Sequence, residues 1–184
     1  MSRILVAGIE GIDPTKFRKP DEPTSNDMSF LNKPNGCLWG STLLHDDLYK
    51  SDWLRWVDGE NFHVELYKNG ISFTLYKKAR ICTVDSLESY LELIREYGIL
   101  DTMNSMPDYK KYTVDWIELT KHYDAFHLTE DAFWNLRMLP STITYNDGAF
   151  ISLKDFYSYD CETWIMFNLE CINKGSIINH NNLI

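Results

Sequence analysis

Asp160 and Glu162, two residues apart in the stretch YSYDCETWIMFN (157–168), have the spacing most suggestive of chemistry in this 184-residue chain. On a strand, alternate side chains share a face, so the two carboxylates would stand together. Like charges that close raise one pKa and suit acid–base work; the same pair also suits a polar edge facing water. A second stretch, KPNGCLWGS (33–41), sets a lysine, an indole and a hydroxyl around a turn. Pro34-Asn35-Gly36 supplies the turn, and Cys37-Leu38-Trp39 reads as a strand that delivers Trp39 and Ser41 to its end. Lys33 is placed either to hold a phosphate or to be solvated, and Ser41 either to serve a site or to satisfy a neighbouring amide. SDWLRW (51–56) puts Trp53 and Trp56 three apart on one helix face. These indoles and Trp39 are platforms for a planar ligand or core packing. In YDAFHLT (123–129), His127 is a base or a hydrogen-bonded structural residue. The fork of Arg137 matches phosphate geometry.

Other chemistries find no support. The patterns GxSxG and GxxxxGK[ST] are absent, and Cys37, Cys82, Cys161 and Cys171 lack basic neighbours, which disfavours hydrolases with a serine or cysteine nucleophile and P-loop nucleotide hydrolysis. The cysteines and the five histidines are scattered, so reduced structural thiols and no metal site are expected. A formal charge of -9 and a pI near 5.0 oppose general nucleic-acid binding. No apolar run approaches the ~20 residues that span a bilayer, and the amino terminus does not read as a signal peptide, so a cytoplasmic protein without membrane contact is expected.

The elements that must position these residues suggest an α+β chain of mostly antiparallel, split sheet with packed helices. Residues 1–172 read as one domain with a mobile loop at 13–30, and 173–184 as a flexible, asparagine-rich tail. Strands are expected at RILVAGI (3–9), ARICTV (79–84), 124–128 and 161–169. Asn69-Gly70 has hairpin-turn chemistry inside FHVELYKNGISFTLY. Helices are expected after Ser51, after Ser86 with Gly98 as the stop, over 113–122 and after Thr129. Residues 101–111 and 138–148 read as irregular.

The four stretches, in this order and spacing, resemble an uncharacterised group of bacteriophage and prophage proteins with KPxGxLWxS, SxW, YDAxHLT and YDxET segments. The likeness covers roughly residues 31–169. That group resembles, more distantly, the ADP-ribosyltransferases, whose split sheet binds NAD in a cleft. The resemblance implies NAD as the donor and a host macromolecule, such as a host protein, as the target. It assigns an anion-holding role to Arg3, a supporting hydroxyl to Ser41 or Thr42, and charge stabilisation at the ribose to Glu162. Lys33, Trp39, Thr42, Trp53 and Arg137 would line the NAD site. Two departures stand out: the related first strand carries a histidine where this chain offers only Arg3, and Tyr159 and Thr163 replace the commoner Trp and Ser. A non-catalytic anti-defence protein that blocks a host enzyme with an acidic surface, and a degenerate nucleotide-binding fold, are the alternatives. Replacing Glu162 by Gln is expected to abolish transfer and leave the melting temperature nearly unchanged.

Overall fold

The apolar run near the amino terminus forms strand β1 (Ile4–Ala7), flanked on both edges by β2 (Leu38–Thr42) and β3 (Asn69–Phe73). This computed structural model describes residues 2–20, 33–34, 36–45, 50–103 and 106–184. Four more strands complete a seven-stranded sheet: β4 (Ile81–Val84), β7 (Ala125–Leu128), β10 (Thr163–Met166) and β11 (Ile178–Asn181). Their order is β11-β3-β1-β2-β10-β7-β4. A second sheet has the order β5-β6-β9-β8, from β5 (Gly98–Met103), β6 (Met106–Val114), β8 (Thr142–Thr144) and β9 (Phe150–Ser152). Pairing is antiparallel except between β4 and β7 and between β6 and β9. The chain is thus α+β with mostly antiparallel sheet. Among the described residues no helix is long and apolar enough to cross a membrane.

Among the described residues four helices cover the sheets: α1 (Asp52–Gly59), α2 (Leu87–Tyr97), α3 (Trp116–His122) and α4 (Glu130–Met138). Each begins where a short polar side chain accepts an otherwise orphaned amide: Ser51 from Leu54, Ser86 from Ser89, Asp115 from Glu118 and Thr129 from Ala132. Strand alternation sorts the core. Ile4 and Val6 join Trp164 and Met166 in one cluster, while Leu5 joins Leu54 and Leu183 in another beside α1. Helices α2, α3 and α4 pack Tyr90, Trp116 and Phe133 against Phe126 and Ile165.

Several sequence expectations are corrected. Asn69-Gly70 is no hairpin turn but the start of β3, held between β1 and β11. A Cβ on Gly70 would lie 2.7 Å from the Val6 carbonyl oxygen and 2.8 Å from Leu183 Cδ1, so close strand packing, not a turn, requires the glycine. Gly70→Ala is expected to cost about 1–3 kcal/mol, read as a lowered urea midpoint at unchanged slope. Residues 101–103 and 106–111, expected to be irregular, belong to the β5–β6 pair, and residues 113–114 belong to β6 rather than α3. Part of the expected 138–148 loop is β8. The segment read as a flexible tail carries β11, and the Leu183 amide bonds the Lys68 carbonyl. The loop expected over 13–30 lies outside the described residues from 21 onward; in its first part, the Arg18 carbonyl accepts from the Cys37 amide at 2.7 Å.

Candidate functional site

Three strands from distant parts of the sequence meet at one carboxylate. Glu162 immediately precedes β10, and its Oε2 accepts from Ser41 Oγ and the Thr42 amide, both at 2.8 Å. Its Oε1 accepts from Thr42 Oγ1 at 2.7 Å and contacts His127 Nε2 at 2.7 Å. An ionised carboxylate only accepts, so Nε2 carries the proton in this contact. Ser41 and Thr42 are consecutive on a strand and point to opposite faces, yet both reach Glu162. The carboxylate therefore lies across the strand ends rather than on one face. Trp164 Nε1 donates to Thr42 Oγ1 at 3.0 Å, and its ring stacks on His127 at 3.8 Å and 11°. Gly40 brings β2 close to β1: a Cβ there would meet Ile4 Cγ2 at 2.7 Å and the Leu5 carbonyl at 2.8 Å.

Glu162 is 5% exposed. Burial pushes its carboxyl up, but the bonds from His127 and Thr42 outweigh burial and hold it below its ordinary value. The result is a fixed, ionised carboxylate inside the protein. It lines a cavity of about 300 Å³ together with Lys33, Trp39, Trp53, Tyr67, Tyr159 and Asp160. Lys33 Nζ sits 5.8 Å from the Trp39 ring centre and 5.4 Å from that of Tyr159. Burial pulls the Lys33 amine down against the opposing pull of Asp160. Planar rings beside one cation suit a base or nicotinamide ring attached to phosphate.

Asp160 does not share a strand face with Glu162 as expected. It ends a short 3-10 turn (Asp155–Tyr159) with φ 70° and ψ −32°, a conformation rarely adopted by residues with a side chain. It nevertheless lines the same cavity. Burial pushes its carboxyl up, while Lys33 and Arg137 oppose the rise.

Of the residues singled out in the sequence, Ser41, Thr42 and Glu162 are in direct contact, and Lys33, Trp39 and Trp53 line the adjoining cavity. Trp39 donates to the Gly36 carbonyl at 3.1 Å and tilts against Tyr159; Trp53 stacks on Trp56 with ring centres 4.9 Å apart. Arg137 lies over Phe133 and Trp134, at 4.7 and 5.6 Å, outside the cavity lining. Arg3 is not brought to Glu162. Its guanidinium donates to the Ser72 carbonyl and Oγ at 3.2 Å and to the Ser176 carbonyl at 2.7 Å, on the side of β1 away from β2 and β10. His127 joins the site, and its signal was the YDAFHLT stretch itself. Tyr67 carried no signal apart from its aromatic type, and Tyr159 stood out only as the residue found where the related late segment more commonly has Trp.

The Arg3 cluster has its own pH response. Ser72 Oγ lies 2.7 Å from His180 Nε2, and burial, then Arg3 and Lys50, lower the His180 pKa. A histidine that resists protonation when folded takes up its proton more readily when unfolded. The stability it allows is present above the ordinary value of 6.5 and is lost as pH falls below it. Amide-exchange protection across Ile178–Asn181, taken relative to the intrinsic exchange rate at each pH, is expected to fall between pH 7.5 and pH 5.5, and His180→Gln to flatten that change.

Burial pushes all four thiols up, Cys37, Cys82 and Cys171 to about 12 and Cys161 further, so none supplies a thiolate near neutral pH. Among the described residues no group of three or more His, Cys, Asp or Glu side chains is arranged to hold a metal ion. No family model, no curated protein and no solved structure matches this chain.

Proposed function

We propose that this chain is an ADP-ribosyltransferase-like protein of the phage and prophage kind its four segments resemble, taking NAD as donor and a host macromolecule as target. The observation that supports this reading is the carboxylate of Glu162, held ionised across the strand ends by Ser41 and Thr42 beside a ring-lined cavity. NAD supplies the glycosidic bond whose cleavage builds positive charge on the ribose. A buried carboxylate fixed beforehand stabilises that developing charge more than it stabilises the ground state, and it does so through space, whatever bonds its oxygens make. Lys33 would bind a phosphate, and Trp39, Trp53 and Tyr159 the planar rings. His127 orients the carboxylate and Trp164 fixes the imidazole.

The test is label transfer from NAD carrying a labelled adenylate into host lysate proteins, lost in Glu162→Gln. No transfer by the native chain would overturn the catalytic reading. Lys33→Met should weaken NAD binding by about tenfold, the loss of one charge-assisted phosphate contact, with folding unchanged; thermal shift against NAD concentration measures it.

One observation favours a second reading. A carboxylate has about four acceptor positions, and here four contacts use them, leaving none to orient an acceptor. On this reading the chain binds the nucleotide without turning it over. NAD then raises the melting temperature and is recovered intact.

A further inference from the structure

Asp160, Cys161 and Glu162 form a wall between two hollows. The far side is a cavity of about 250 Å³ under α1 and α4, which the nucleotide reading does not use. Its charged lining is five carboxylates, Asp52, Glu60, Glu130, Asp160 and Glu162, against one cation, Arg55, with Arg137 beside it over Phe133 and Trp134 and acting on Asp160. Arg55 Nη1 lies 3.1 Å from Asp52 Oδ1, so that cation is already turned to a carboxylate of its own helix. Glu60 and Glu130 are exposed and form no ion pair among the described residues. Trp56, Phe133 and Trp134 supply the aromatic part of the lining, and Trp134 is 54% exposed. Aromatic faces surrounded by carboxylates attract a desolvated cation through the ring quadrupole and through charge. The chain itself uses this chemistry where Arg137 lies over Phe133 and Trp134.

We infer that this cavity is a docking site for an arginine side chain of a basic protein segment. A guanidinium is flat enough to lie on an indole, forked enough to bond two carboxylates at once, and more weakly hydrated than an ammonium. Met138, one turn beyond Trp134 and 84% exposed, extends an apolar rim for the residues beside that arginine. The net negative charge of the chain favours the approach of a basic partner. Docking requires neither NAD nor transfer. Should the transferase reading hold, the arginine would wait on the opposite side of the wall from the donor.

The test uses the full chain and a blocked Gly-Arg-Gly peptide, with the citrulline peptide as a neutral twin of the same shape. Binding is followed by the indole N–H resonances, with that of Trp134 assigned by Trp134→Phe. The arginine peptide should shift the Trp134 indole saturably, the citrulline peptide should not, and Glu60→Gln/Glu130→Gln should weaken binding by about tenfold. Equal affinity for both peptides, undiminished binding by the double variant, or no saturable shift would each overturn the assignment. Because no arm contains NAD, a failed transfer assay leaves this result standing, and the reverse also holds.

Discussion

Glu162→Gln is expected to lower label transfer by about 10²–10³-fold or more and, independently, to destabilise the fold by about 1–3 kcal/mol. The first effect follows from losing a fixed negative charge beside the scissile bond. The second follows from the four contacts on the carboxylate. A glutamine keeps one acceptor oxygen and replaces the other with an NH2. The oxygen must stay with the Thr42 amide, which cannot reverse its role, so the NH2 faces Thr42 Oγ1 and His127. The hydroxyl can turn, but the imidazole must then present a lone pair at Nε2. The variant should therefore be less stable than the native chain at neutral pH. The native carboxylate's pKa is depressed, so the stability it contributes is present above about 4.5 and is lost as pH falls through the depressed value. The expectation of an unchanged melting temperature, reasonable for an isosteric change at an open site, is withdrawn at a saturated one. Chemical denaturation of both chains at neutral pH measures this; equal stability would disprove the bonding described.

Lys111→Met is expected to cost about 3–5 kcal/mol, or roughly 10 °C in melting temperature, without touching the cavity. Lys111 is 2% exposed and Asp155 1% exposed, with Nζ 2.5 Å from Oδ1. The Tyr90 hydroxyl donates to Asp155 Oδ2 at 3.2 Å. Removing the ammonium strands a buried carboxylate, whereas removing both charges leaves two apolar side chains to pack. Lys111→Met/Asp155→Leu should recover most of the loss. Burial raises the Asp155 pKa even with Lys111 opposing it. An acid whose folded pKa is raised gains stability as pH falls, so the deficit of the single variant should shrink from pH 7 toward pH 5. A deficit that grows with acidity would contradict the pairing.

Local chemistry made part of this legible from the sequence. Ser86 opens α2 through a capping box with Ser89, and Thr129 caps α4, both within four residues. Elements set by distant partners were not legible. Asn69-Gly70 has the composition of a turn, and only the neighbouring strands β1 and β11 make it a strand. The polar residues of β6 pair with β5 without an apolar alternation to announce them. At the site, Ser41, Thr42 and Glu162 came from resemblance, and the structure brings these three together. Arg3 came from the same resemblance and is committed to Ser72 and Ser176 instead. His127, between two apolar residues, read as a base or as a hydrogen-bonded structural residue, and nothing local pointed to its partner, which lies 35 positions away.

The donors around Glu162 lie as far as 121 positions along the chain. Loop closure on that scale is slow and comes after local structure has formed. The pocket therefore has no precursor in a nascent or partly folded chain: helices can ripen early, but nothing resembling the carboxylate cradle exists until the strands bearing Ser41, Thr42 and His127 have docked beside Glu162. Any fragment that lacks one of these strands should be wholly inert toward nucleotide rather than feebly active, and ligand added during refolding can trap only finished molecules.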